Sequence, residues 1–131
     1  MTPASRKQKG SRLERIWATR LRESGLDEHA RRMPTSGAVQ DMKSDIYTNL
    51  PFQFELKNQE TWKPEAYMKQ AIDGKKQHEM PVVVMSKNNM SDPYVMMLAS
   101  DWIWLCQLAK ESGQLVGRYG YQKADQLRKG K

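Results

Sequence analysis

The feature that most constrains the fold is the alternation in Phe52-Gln53-Phe54-Glu55-Leu56-Lys57. A strand sends successive side chains to opposite faces. Phe52, Phe54 and Leu56 therefore face a core, while Gln53, Glu55 and Lys57 line the other face. One strand thus holds a carboxylate and an ammonium side by side. A short hairpin through Asn49-Leu50-Pro51 brings Asp45 to the same edge. Asp45 and Glu55 together make a hard, oxygen-rich site for Mg²⁺, which takes a few carboxylates plus waters and substrate phosphate. A lysine beside such a site orients the attacking water or offsets charge developing on phosphate. The competing reading is an edge-strand pair in which Glu55 and Lys57 form a solvated surface couple.

Upstream, helical periodicity begins after Ser11, an N-cap candidate with Glu14 at the capping-box position. Leu13, Ile16, Trp17 and Leu21 fall on one stripe, and Gly25 supplies a stop. At about 100° per residue, Glu14 lies on the flank of that stripe. A carboxylate there needs a partner, a cation or a metal, unless it only caps the helix. Next comes a strand-and-loop segment, with the vicinal cations Arg31 and Arg32 followed by Met33-Pro34-Thr35-Ser36-Gly37. Ser36-Gly37 offers a hydroxyl on a flexible backbone. Asp41 competes with Asp45, but only Asp45 is followed by strand-forming residues.

A helix bearing Glu14, an arginine-rich strand, Ser36-Gly37, then Asp45 and Glu55-Leu56-Lys57 resembles the PD-(D/E)XK nuclease superfamily. The order is similar to that of archaeal-type Holliday-junction resolvases, over roughly residues 11 to 100. Ser44 stands where the motif's leading proline would be. The resemblance implies metal-site roles for Glu14, Asp45 and Glu55, and Lys57 as the catalytic lysine. It implies that Ser36 is an active-site or phosphate-contacting hydroxyl. The implied cofactor is Mg²⁺, with Mn²⁺ able to substitute, and no small-molecule cofactor is expected.

Charge points to the same class of partner. The formal net charge is +7 and the sequence pI about 9.6, which favours a polyanion. Residues 1–10 carry +3, from Arg6, Lys7 and Lys9. Residues 118–131 carry +4, from five cations against Asp125, which leaves residues 11–117 neutral. The organisation expected is a basic flexible arm over 1–10, a nuclease domain over 11–117 and a basic C-terminal arm over 118–131. Such arms track phosphates by counterion release, or else serve only as solubilising tails. Within the domain, Arg12, Arg15, Arg31, Arg32 and Lys43 are candidate DNA-backbone contacts.

At 131 residues the chain suits one domain. Its mean hydropathy is −0.84 and no run approaches membrane-spanning length, so no membrane partner is expected. The N-terminus lacks a signal-peptide apolar core, and the single cysteine, Cys106, excludes an internal disulfide or a cysteine-based zinc site. An intracellular, DNA-associated protein is expected.

Downstream, Trp62-Lys63-Pro64 opens a helix that runs to Gly74, with Gln70 turned either toward the site or to solvent. Pro81–Ser86 is a buried-strand run, and Tyr94–Leu98 is a second strand after turn-forming Lys87–Pro93. Ser100 or Asp101 caps a final helix rich in Trp102, Ile103, Trp104, Leu105 and Leu108. Apolar nearly all round, that helix suits burial against the sheet and a partner subunit. The fold expected is α/β, a restriction-endonuclease-like central mixed β-sheet flanked by helices. The function expected is Mg²⁺-dependent cleavage of branched DNA by a homodimeric resolvase. The alternatives are a nuclease of the same fold acting on other DNA structures, or a non-catalytic DNA-binding accessory protein.

Overall fold

The computed structural model describes residues 3–33, 46–118, 120, 125–126 and 129, with side chains from Gln8 onward. Ser36, Asp41, Lys43 and Asp45 lie outside the described residues. The chain divides into two units, residues 1–97 and 98–131.

The first unit is organised by its sheet. Strands β3 (Phe52–Asn58) and β4 (Met80–Ser86) pair in parallel over seven residues each, from Phe52 opposite Met80 to Asn58 opposite Ser86. Strand β5 (Tyr94–Met97) pairs antiparallel to β4, so the sheet is mixed, in the order β3-β4-β5. Parallel neighbours need a crossover connection, and α2 (Pro64–Gly74) supplies it between β3 and β4. Pro64 opens α2 in its first turn, where a missing N–H costs nothing. Because β4 is covered on both faces, its run from Pro81 to Ser86 is buried throughout.

Alternation then builds two cores. Phe54, Leu56, Val82 and Val84 share one face and pack with Leu13, Ala18 and Leu21 of α1 (Pro3–Glu23). Val83 and Met85 share the other, packing with Tyr67 and Ala71 of α2. Trp17 meets Phe54 edge to face, with ring centroids 5.6 Å apart. Truncating a fully buried side chain here, such as Leu13 to Ala, costs about 2–5 kcal/mol. Strands β1 (Arg31–Arg32) and β2 (Ile46–Tyr47) form a separate antiparallel pair. The partner of β2 is thus β1, and the expected β2–β3 hairpin is a turn without ladder pairing between those strands.

Helix α1 corrects the expected start at Ser11. It begins at Pro3, so residues 3–10, expected as a flexible arm, form its first part. The cause is visible at Lys9, which is only 4% exposed. Its ammonium pairs with Glu60 at 3.3 Å, and its carbonyl accepts from the Asn58 amide at 3.0 Å. These long-range bonds hold the helix start against the end of β3, a partnership that helical periodicity does not encode. Ile16, expected in the buried stripe, is half exposed; Ala18 takes its place in the core. Gly25 ends the helical segment with φ of 81°, a conformation that favours glycine.

In the second unit, α3 (Ala99–Glu111) starts just ahead of the expected cap. Leu98 occupies the N-cap position without a side-chain bond, and Asp101 sits in the first turn. None of its residues is buried within the single chain.

One buried carboxylate ties the first unit's turns together. Asp27, 8% exposed, accepts from the Thr48 hydroxyl at 2.6 Å and from the Asn49 and His29 backbone N–H groups at 2.9 and 3.0 Å. The Thr48 bond, followed by the Asn49 N–H, holds its pKa below the usual carboxylate value against the opposing effect of burial. A lowered folded value means stabilisation that is complete above the unfolded value of about 3.9 and lost as pH falls toward the folded one. Asp27→Asn should therefore melt at lower temperature than the wild type at pH 7, with the gap narrowing below about pH 4. A gap independent of pH would show that the carboxylate charge contributes nothing.

Candidate active site

Glu55 and Lys57 stand two residues apart on β3 and so share a face. Their in-register partners on β4 are Val83 and Met85, which places the pair on the α2 side of the sheet. The Lys57 ammonium lies 3.2 Å from Glu55 Oε1, and the side chains are 19% and 17% exposed. The surface-couple reading fails on that burial, since a solvated pair would be far more open. The same ammonium lies 5.4 Å from the centroid of the Tyr67 ring, whose negative face attracts a cation. The Tyr67 hydroxyl donates to the Gln59 side chain just beyond β3, so the ring is held from both ends. Strand pitch, α2 and the turn after β3 thus fix the lysine before any substrate arrives.

Gln53 continues this face and is buried; its Nε2 has no hydrogen-bond partner. Alternation predicted its direction, but not that an amide would be enclosed without a partner. Gln70, on α2, is exposed.

Glu14 is differently placed. Arg32 Nε donates to its Oε2 at 2.6 Å, and Arg32 Nη2 donates to the Ser11 hydroxyl at 2.8 Å. The partner that a flank carboxylate requires is therefore an arginine of β1. Ser11 and Glu14 sit inside the helix, so the capping box is corrected to an Arg32 clamp. Arg31 stacks over the Tyr47 ring at 4.7 Å. Arg12 and Arg15 are exposed on α1. Ser36, Lys43 and Asp45 are outside the described residues, and among the described residues no group of three or more His, Cys, Asp or Glu side chains converges.

Sequence reasoning missed three residues here. Asp27 lies two positions before the N–H it accepts, a local turn signal, but its Thr48 partner is remote. Lys9 and Asn58 meet across forty-nine residues, and nothing local announces it.

Chemically, the α2-side face of β3 offers a part-buried carboxylate and an ammonium held beside it. A carboxylate is a hard oxygen donor suited to a divalent cation, and the ammonium supplies charge and hydrogen bonds to an anionic centre. The comparisons with known proteins agree with that chemistry. The model of the family described as "Phage putative PDDEXK endonuclease" matches residues 5–128. No curated protein and no solved structure matches the chain. With nearly its whole length matched, and with Glu55-Leu56-Lys57 on a sheet strand flanked by helices, the chain belongs to the PDDEXK endonuclease family and is a nuclease.

Proposed function

We propose that the protein is a Mg²⁺-dependent, structure-selective DNA endonuclease that resolves four-way junctions as a homodimer. The observation that carries the reading is the Glu55–Lys57 pair at 3.2 Å on the α2-side face of β3. Glu55, together with Asp45, would hold the cation; two carboxylates leave room for water and phosphate, as Mg²⁺ prefers. Glu14, held by Arg32 on the α1 side, lies across the sheet from Glu55 and is left out of that shell. When bound, a divalent cation would lower the pKa of water and polarise phosphate.

The chain's own residues supply the rest. Lys57, steadied by Glu55 and the Tyr67 ring, donates hydrogen bonds to the attacking water or to a phosphate oxygen as charge builds there. Ser36 and Lys43 contact the phosphate backbone, with exposed Arg12, Arg15 and Arg31. Junction preference is supported by the order of the sequence motifs and by the net charge of +7, which suits a duplex-rich polyanion. The homodimer is supported by the exposed apolar side chains of α3, among them Trp102, Ile103 and Trp104. Each protomer would then contribute one cut to a symmetric pair.

A panel of linear, single-stranded, flap and four-way DNA, incubated with Mg²⁺ and with chelator, tests this reading. Paired symmetric cuts on the junction alone support it. Cutting confined to flaps or ends assigns another substrate to the same site, and a chelator-insensitive product overturns the metal assignment.

Two sets of variants test the site. Asp45→Asn and Glu55→Gln should each abolish cleavage, measured in single turnover, while junction affinity by anisotropy stays near that of the wild type. Turnover at the wild-type rate in either variant would remove that carboxylate from the site. Lys57→Ala should slow the cutting step by roughly 10²–10³-fold, the cost of losing one donor to a developing oxyanion. Equal losses in rate and affinity would make Lys57 only another phosphate contact.

A further inference from the structure

Across the sheet from Glu55 and Lys57, between α1 and the β4–β5 turn, lies a pocket of about 380 Å³. Sites for small organic ligands begin at roughly 300 Å³, so the space suits one nucleotide. Its lining is mixed in the way such a ligand requires. Leu13, Ile16 and Pro93 are apolar, and Arg12, Asn58 and Asn89 are polar. No carboxylate lines it.

Three features separate this pocket from an ordinary crevice. Arg12 is exposed and, among the described residues, has no ion pair, whereas Arg20, two turns along α1, is paired to Asp92 at 2.7 Å. Arg20 and Asp92 thereby pin the β4–β5 turn to the helix at one end and leave a free guanidinium at the other. Asn58 also lines the pocket, and its buried Oδ1 has no hydrogen-bond partner among the described residues. Asn89 holds φ of 64° in the turn closed by the Met90 N–H to Lys87 carbonyl bond of 3.3 Å, so the wall is preformed. Lys87 also lines the pocket, but its ammonium lies 5.3 Å from the Trp62 ring centroid, leaving Arg12 as the cation free for a ligand.

A free phosphate would satisfy Arg12 but offers nothing to the apolar wall of Leu13, Ile16 and Pro93. A nucleotide offers both, an anionic phosphate and an apolar base face. We propose that this pocket holds one unpaired nucleotide of the DNA strand, with Arg12 on its phosphate. The proposal rests on the nuclease reading and deepens it. Asn58 directly follows Lys57 on β3 and faces the opposite side, so a strand seated here passes around the end of β3 to reach the catalytic face. Intact duplex supplies that nucleotide only by unpairing inside a continuous stack, whereas at a branch point the stack is interrupted and unpairing costs less. The pocket would therefore contribute to choosing branched or frayed DNA over intact duplex.

The test is binding of a fluorescent single-stranded 12-mer and of a blunt duplex to the full-length protein, in chelator, across a salt titration. Arg12→Gln should weaken single-strand binding about fivefold or more and make the salt slope shallower by roughly 0.7, one phosphate's worth on single strands. Ser91→Phe, which fills the pocket from an exposed turn position without changing charge, should weaken single-strand binding and leave duplex affinity and salt slope unchanged. Melting curves matching the wild type confirm that both variants fold. Single-strand affinity unchanged by Ser91→Phe, or reduced equally with duplex affinity, overturns the nucleotide pocket. Parallel cleavage assays keep the two ideas apart. Absent cleavage with pocket-sensitive binding removes the nuclease reading alone, and normal cleavage with pocket-insensitive binding removes the pocket alone.

Discussion

The parallel pairing of β3 with β4 is the constraint on which the rest of this structure depends. Its register sets Phe54 and Leu56 beside Val82 and Val84, and Glu55 and Lys57 beside Val83 and Met85. A slip of one residue would turn every side chain of β3 to the opposite face, burying the charged pair under α1 and moving both phenylalanine rings to the α2 side. Hydrophobic burial on the α1 side therefore enforces the position of the polar pair on the other. The placement of Glu55 beside Lys57 is thus a by-product of core packing, and no dedicated scaffold is required for it.

The α2 side shows how a charged pair is kept in such a place. Taking two ions partly out of water is costly, and mutual attraction repays it only when the remaining donors find partners. Lys57 has Glu55 at hydrogen-bonding distance and the Tyr67 ring beside it. On the α1 side, Glu14 and Arg32 satisfy each other and Ser11 closes the fork, a self-contained arrangement that fixes β1 on the helix.

The elements legible in the sequence were those whose signal is local. Alternation marked β3, a β-branched run marked β4, and Pro64 and Gly74 bounded α2 correctly. The Glu55–Lys57 face followed from strand periodicity alone. Residues that answer to remote partners were not legible. Helix α1 starts early because Lys9 finds Glu60 and Asn58, and Asp27 is buried because Thr48 and Asn49 come to it. Glu14 was correctly seen to need a partner, but whether that partner is a metal or an arginine depends on where Arg32 lies, and no spacing rule gives that. Helix α3 is legible as a helix, but apolar composition states a tendency to be covered without naming the cover.

The crossover also governs when the site can come into being. Every rung of the β3–β4 ladder joins residues 28 positions apart in the chain, as Phe52 and Met80 are, so none forms before that loop has closed. Contacts of such range are slow to form, and they arrive together with the docking of α2 that brings Tyr67 to Lys57. A partly synthesised chain ending before β4 holds Glu55 and Lys57 on a segment with no neighbour to keep it extended. The Glu55–Lys57 face is thus assembled only when the native sheet is completed, and an unfinished polypeptide does not hold the pair in place.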